Sequence, residues 1–370
     1  MAENEIYVLS NGKKYNNIEQ ISIHASLDAL PRSFDISYID YAGQILKSGS
    51  NITIGTTKDG KLFSNAYAEK ISKKRTATSD TMQMSGRGHI KDLLDGSANI
   101  RSSQLPSTID LLAKFLCDAQ NVPYKNLAKK SNTNNLTAAF SVGCDESAFA
   151  ILERAARYEA VIIYDSWDGS FVINDVASKP VTTIRAEQVT DVAFNQSVAE
   201  RYYSYSIVRN QNSAAQEPGQ TPIVDGIAYD PEKDTINPSR KLTIINSKSD
   251  GTVDFSQRLA EWYANRAYGK STSLEVTIPS WTYETGKYWD INMLVNVDIP
   301  GYYQTTQTKK ALLISEVTLS FSIQNGTEAM LRLTLPDTYS PQPLDVSQTS
   351  VTNAGNNNNY IGVKSNTSDG

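Results

Sequence analysis

The sequence predicts an α+β fold that is mainly β: two antiparallel β-barrel domains with a small α/β domain inserted and a second helical and loop elaboration. Three observations lead there. Short runs of alternating apolar and polar residues, each closed by a turn dipeptide, recur about every eight to twelve residues in two regions. Helical spacing of apolar residues gathers in the stretch between those regions and in one segment of the second. Twenty tyrosines stand against nine phenylalanines, a composition that suits half-buried sheet surfaces better than a helix bundle. At 370 residues the chain is too long for one core.

Ile6 to Leu9 and the residues from Lys13 flank Asn11-Gly12, a dipeptide that supplies the positive φ values of a two-residue hairpin turn. Ile21 and Ile23 alternate with polar neighbours, and beyond Leu30-Pro31 so do Phe34, Ile36 and Tyr38, which predicts a strand with one face on a core. Ile52 and Ile54 follow the Ser48-Gly49 turn, Asp59-Gly60 sets a further hairpin before Leu62-Phe63, and 76–85 is the last strand of the set. Ile90, Leu93 and Leu94 then form a short helical face that closes at Gly96.

Ser107 and Asp110 mark a helix start, and Ile109, Leu112, Ala113, Leu116 and Ala119 keep helical spacing until Asn121-Val122-Pro123 ends it. Cys117, beside that stripe, reads as a small core residue. A polar loop over 125–135 precedes a second helix after Asp145, with Phe149, Leu152 and Ala156 on one face. It leads into strands 161–164 and 171–173 around a turn from Asp165 to Gly169.

Alternation returns at 184–194 and 202–208, with Tyr203, Tyr205 and Ile207 on one face. Residues 211–239 are rich in Pro, Gly, Asn and Asp without any period and read as a long exposed loop. Asp254 with Gln257 opens a helix over 255–268, stopped by Gly269. Leu274, Val276 and Ile278 form a strand, 286–297 another, and 313–323 with 330–335 a hairpin around Asn325-Gly326. From Pro341 the composition falls to Ser, Thr, Asn and Gly, too little apolar surface to offset ordering entropy. The domain boundaries expected are 1–97 with about 181–197 for the first barrel, 98–180 for the inserted α/β domain, 198–337 for the second barrel, and 338–370 for a low-complexity tail.

Composition and motifs exclude most chemistry. A net charge of −5 argues against a dedicated nucleic-acid binder, and the one dense basic run, Lys70 to Arg75, reads as a solvated strand end. The amino terminus carries no apolar leader, and no stretch reaches membrane-spanning length, so synthesis and retention in the cytoplasm are expected unless a particle carries the protein out. With two cysteines, Cys117 and Cys144, reduced thiols are the default. The histidines are His24 and His89, and Cys144 at a helix start has no motif that would make it a nucleophile.

Ser85-Gly86-Arg87-Gly88 lacks the spacing of a phosphate loop, and His89 with Asp92 and Asp95 reads as a solvated, capped turn rather than a metal site. Asp230, Glu232 and Asp234 lack the Gly and Glu of a calcium loop. Asp165 and Asp168 are the nearest candidates for a glycosidase pair, and acids at a hairpin tip ordinarily serve the turn. No catalytic, cofactor-binding or metal-binding residue is therefore assigned, and the protein is not expected to be an enzyme. The alternative from another class is a cell-wall carbohydrate-binding or hydrolysing protein using Trp167, Trp262, Trp281 and Trp289 as stacking platforms.

Two segments carry a resemblance. Gly86, Arg87, Asp92, Leu93, Leu94, Asp95, Ser97 and Ala98 resemble a signature of the Mu-type baseplate hub proteins of contractile-tailed phages. Gly286, Trp289 and Asn292 with the strand that follows resemble a second feature of that family, and the segment from Ile21 to Asp40 resembles its first domain. The family's turn carries Gly where this chain has Asn65. The resemblance implies that the barrels are tube-like and that the chain forms a homotrimer presenting six barrels in a ring. It further implies a structural virion protein joining the tail tube protein to the spike protein among other baseplate proteins, assembled in the host cytoplasm. A phage-tail-like bacteriocin particle is the alternative within that class. DNA would pass through the lumen without specific binding, and a mildly acidic chain leads us to expect an acidic lumen. Tyr203 and Tyr205 are candidate interface anchors.

Overall fold

Alternation of buried and exposed residues sets the first group of strands, seen in Ser33–Ile39, where Phe34, Ile36 and Tyr38 point inward while Asp35 is exposed. The computed structural model describes residues 5–39, 46–75, 80–98, 100, 105–129, 142–143, 145–209, 224–246, 253–306 and 309–340. The group comprises β1 (Ile6–Ser10), β2 (Lys13–Tyr15), β3 (Ile18–Ser26), β4 (Ser33–Ile39), β5 (Asn51–Thr56), β6 (Gly60–Arg75) and β7 (Asp80–Gly88). They pair in the order β3-β4-β7-β6-β5-β1-β2. Its two end strands, β2 and β3, are consecutive in sequence, so the chain itself joins the ends of the path. Asn11 adopts a positive φ of 50° at the β1–β2 turn, and Asn65 one of 55° inside β6, at a register shift in its pairing with β5.

After the short helix α1 (Lys91–Asp95), the chain forms a small α/β layer. It contains α2 (Ile109–Ala119), β8 (Tyr124–Asn126), α3 (Ala148–Glu159), β9 (Ile162–Asp165) and β10 (Phe171–Asn174). β10 lies between β8 and β9, and Ile109, Leu112, Leu116, Ile151 and Leu152 bury the helices' inner faces. The cap of α2 is Thr108, one residue after the expected Ser107, and its hydroxyl accepts from the Leu111 amide at 3.4 Å. Asp110 is not left to the helix dipole alone; it accepts from the Tyr124 hydroxyl at 2.7 Å and from Asn126 at 2.9 Å. Part of the expected 125–135 loop and Cys144 lie outside the described residues.

The second group of strands is β11 (Pro180–Arg185), β12 (Asp191–Gln196), β16 (Thr272–Ile278), β19 (Leu294–Ile299), β20 (Tyr303–Gln304), β21 (Leu312–Ser322) and β22 (Gly326–Thr334). Before β16 come β13 (Ser204–Arg209), β14 (Val224–Tyr229), β15 (Lys241–Asn246) and the helix α4 (Val253–Lys270). Between β16 and β19 sits a small hairpin of β17 (Thr282–Glu284) and β18 (Lys287–Tyr288). The path β12-β16-β22-β21-β19-β11 again ends on consecutive strands, joined by the 3-10 turn Ala186–Gln188. Two drum-like groups thus share one construction.

A single strand welds the groups together. β21 pairs β22 along one edge, while on the other edge Leu312 and Leu313 face β19 and Glu316 to Ser322 face β3. The changeover falls at Ser315, inside a register shift between Ile314 and Glu316. Its hydroxyl donates to the Arg332 carbonyl at 3.1 Å and its carbonyl accepts from the Leu27 amide at 2.9 Å. The result is one 14-stranded sheet.

The pairing corrects three expectations. Segment 181–197 belongs with the second strand group, because β11 pairs β19 and β12 pairs β16; alternation identifies a strand but not its partner. The region expected as one barrel over 198–337 contains a separate layer, β14-β13-β15 under α4, with its own core of Tyr205, Ile207, Phe255, Leu259 and Trp262. Within the expected loop 211–239, β14 and a 3-10 turn at Lys233–Thr235 are formed, and 211–223 lies outside the described residues.

Helix α4 starts at Val253, ahead of the expected cap, and the Gln257 amide instead clasps the Ile227 backbone at 3.0 and 3.1 Å. Gly269 lies within α4, where a Cβ would come within 2.1 Å of Thr338. The tail from 341 lies outside the described residues.

Gly86 in β7 marks the tightest approach in the first drum: a Cβ there would meet the Tyr67 carbonyl oxygen at 1.8 Å and the Phe34 ring at 2.8 Å. We expect Gly86→Ala to lower unfolding free energy by about 3 kcal/mol or more, since neither the backbone of β6 nor the core ring can yield cheaply. Urea unfolding of wild type and variant, followed by fluorescence, measures it.

Candidate functional site

Where the first drum, the α/β layer and the second drum meet, a fully buried arginine holds them. Arg32, between β3 and β4, directs Nε to the Asp165 carboxylate at 3.1 Å, its backbone amide to the same carboxylate at 2.8 Å and its terminal nitrogen to Asp290 at 2.6 Å. Asp165 ends β9, and Asp290 precedes β19. The Trp167 indole lies over the guanidinium at 4.0 Å and donates to the Trp289 carbonyl at 3.1 Å. Burial opposes the Arg32 charge, but Asp290 and Asp165 outweigh it and hold its pKa above the ordinary value.

Both signature segments serve this junction and its surroundings. The Gly88 amide donates to the Arg32 carbonyl at 2.8 Å. Arg87 makes a bidentate pair with Glu69 on β6 at 2.8 Å for each bond and donates to Asp95 on α1 at 2.6 Å, so it pins the helix to the sheet. Lys91 approaches Glu69 at 3.3 Å, and Asp92 lies 3.9 Å from His89. Gly286 supplies φ +72° in the β17–β18 turn, and Trp289 is buried. Asn292 at φ +57° accepts from the Ala177 amide and donates to the Asp175 carbonyl, both at 3.0 Å, which fastens the strap leaving the α/β layer to the second drum.

The outer face of the shared sheet is the second feature. Residues opposite one another across β6, β7, β4, β3, β21 and β22 form a row Lys70, Ser85, Asp35, Ser22, Ser320 and Glu328. The next row is Ser72, Gln83, Ser37, Gln20, Ser322 and Gly326, without a charge. All of these but Gly326 line an open hollow of about 630 Å³ spanning both drums. Beyond it, His24 bonds Thr318 at 3.1 Å, and Arg332 pairs with Glu316 at 3.4 Å.

The residues considered for chemistry are otherwise engaged. Asp165 belongs to the buried cluster. Asp168 is exposed; although its partial burial works the other way, hydrogen bonds from Lys125, Ser166 and Ser170 hold its carboxyl below the usual range, which leaves it no proton to give. Burial pushes the Cys117 thiol up to about 12, so it stays protonated. Arg201 takes Asp230 and Glu232, and Asp95 is taken by Arg87. Among the described residues, no three His, Cys, Asp or Glu side chains gather as a metal site would require.

Trp262 and Trp281 are buried and donate to the carbonyls of Ser340 at 2.7 Å and Ser320 at 2.8 Å, so the expected stacking platforms face inward. Tyr205, expected at an interface, is buried under α4, where its hydroxyl accepts from the Tyr202 amide; Tyr203 precedes β13 and packs edge-on against Tyr229. The helix α4 that covers Tyr205 lies about fifty residues further along the chain, so strand periodicity could not tell a core face from a free one.

Two measurements test these assignments. Arg32→Met should cost about 3–5 kcal/mol in chemical unfolding, because it strands Asp165 without a partner in a dry site. Arg87, chiefly through its hydrogen bonds, holds the Glu69 carboxyl below its usual range. The stability Glu69 contributes is present above its unfolded pKa of about 4.3 and is lost as pH falls through the lower folded value. Glu69→Gln should therefore flatten the acid side of a stability–pH curve and leave its slope above pH 7 unchanged.

No protein-family model matches the sequence, and no curated protein is significantly similar to it. Solved structures are. The 43 kDa tail protein of prophage MuSo2 from Shewanella oneidensis matches with a TM-score of 0.75 at 21% identity, over 92% of this chain and 100% of that one. The tail protein from Neisseria meningitidis matches with a TM-score of 0.71 at 17% identity, over 91% and 98%. A component of the Escherichia coli type VI secretion system, described as structurally similar to the bacteriophage T4 tail proteins gp27 and gp5, matches with a TM-score of 0.55 at 10% identity, over 92% and 80%. At such identities the likeness is one of architecture: this chain has the barrel-based, mainly β fold of phage tail proteins.

Proposed function

We propose that this chain is the central hub of a contractile-tail baseplate, a homotrimer in which three copies present six drums in a ring between the tail tube and the spike. The observation that carries this reading is the pair of drums welded by β21 into one sheet. A threefold assembly of two-drum chains offers threefold symmetry to a spike and near-sixfold symmetry to a tube, with closed head-to-tail contacts. The fold shared with phage tail proteins supports it.

The sheet also ends in a suitable edge. Among the described residues β12 pairs only β16, so each copy carries unpaired backbone at one end of the sheet that spans its drums. Unpaired edges are templates for strand addition. Adding the next copy there continues the sheet around the ring, over interfaces that we expect to bury about 1,200–2,000 Å² or more. The protein then works in the virion tail, without chemistry of its own, after assembly in the host cytoplasm. Gly86, Arg87, Asp92, Asp95, Gly286, Trp289 and Asn292 serve it by fixing the drums relative to each other.

Mass in solution by light scattering tests the assembly. A trimer is expected, or a monomer that becomes a trimer when the spike protein is added; a stable dimer overturns the reading.

A further inference from the structure

We propose that the cleft between α4 and the strap leading into β13 is the docking site of this chain's own segment 341–346, Pro-Gln-Pro-Leu-Asp-Val, which lies outside the described residues. The inference needs one copy only. It stands or falls apart from the ring argued above.

The cleft measures about 490 Å³ and lies beside the C-terminal half of α4. Tyr202, Tyr205 and Leu242 wall it on one side, Trp262, Tyr263 and Ala267 of α4 on the other. Two cations share the space with these apolar walls. Arg266 donates to the Thr338 carbonyl at 3.0 Å and lies 5.3 Å from the Trp262 ring, and neither Arg266 nor Lys270 makes an ion pair among the described residues. Burial lowers the pKa of both, and Asp28, which works against that at each, does not make up the loss. A ligand that suits the cleft combines apolar bulk with a carboxylate.

Three features identify segment 341–346 as that ligand. The chain is delivered to the cleft: the Ser340 carbonyl accepts from the Trp262 indole, part of the wall, at 2.7 Å, just after Thr338 is held by Arg266. The composition fits as well. Pro341 and Pro343 favour the polyproline conformation, which aromatic grooves recognise at little cost in ordering, and Leu344 and Val346 add apolar surface. Asp345 supplies the carboxylate, being the first charged residue after Ser340.

The reach is sufficient. Asp345 follows Ser340 by five residues, about 15 Å in a polyproline conformation. Arg266 and Lys270 stand about 6 and 12 Å beyond Trp262 along the axis of α4. Docked in this way, the segment straps α4 to the end of the second drum, from which it emerges.

Limited proteolysis of the full chain with thermolysin, followed by mass spectrometry, tests the docking. Cleavage before Leu344 is compared with cleavage before Ile361, and a synthetic peptide of residues 341–364 sets the intrinsic ratio of the two sites. Cleavage of a docked segment tracks the population of its open form. In the wild type, the Leu344 site should be protected at least tenfold relative to that ratio. Ala267→Trp, which fills the cleft, should abolish the protection. Lys270→Glu should reduce it at least threefold, and Asp345→Lys added to Lys270→Glu should restore it. Thermal unfolding of each variant checks that the fold is kept; where Ala267→Trp disturbs it, the exposed charge pair still decides.

A wild-type ratio equal to that of the peptide overturns the docking. Protection that survives Ala267→Trp, or a charge exchange without rescue, overturns this cleft as its place. Protection that fades on dilution gives the cleft to the segment of a second copy and overturns the docking within one chain.

Discussion

The structure depends on one buried guanidinium. Arg32 has no exposure to solvent, and its charge is shared between Asp165 of the α/β layer and Asp290 of the second drum. A buried ion pair adds little stability over a well-packed apolar substitute, but removing one partner is costly, since the other charge is left in a low-dielectric site. Its consequence here is geometric. Three parts of the chain, far apart in sequence, must meet at one planar group whose donors accept a narrow set of directions. Trp167, over the guanidinium and bonded to the Trp289 carbonyl, closes the same junction from the side.

That junction matters because the sheet alone would leave the drums free to bend. β21 gives up β19 for β3 at Ser315, and a sheet that changes partners at a bulge can twist there. Arg32 braces the turn between β3 and β4, one strand away from the changeover. Arg87 braces α1 against β6 and β7, and Asn292 ties down the strap from the α/β layer. The proposed ring would need fixed angles between drums, because an error in each copy accumulates on closure. The polar network supplies what main-chain pairing does not.

The separate α/β layer of β13, β14, β15 and α4 has its own core and reaches the rest through few side chains. Trp262 donates to the Ser340 carbonyl and Arg266 to that of Thr338, so α4 is held against the segment that follows β22. The sheet face that the pairing brings together is lined from both drums, and its chemistry belongs to neither alone.

The sequence by itself determined the elements that local rules control. Asn11-Gly12, Asp59-Gly60 and Asn325-Gly326 announced hairpins because positive φ favours those residues, and Ile109 to Ala119 announced a helix because its apolar spacing has one period. Tertiary structure alone decided the partners. Period-two alternation is the same for any neighbour, so nothing local assigned β11 and β12 to the second drum or buried Tyr205 under α4. Arg32 and Asp290 were invisible for a related reason: a lone charge in a loop looks solvated until distant chain segments remove its water. The hydroxyl-lined face was hidden likewise, because its serines are scattered over strands that become neighbours only when the sheet forms.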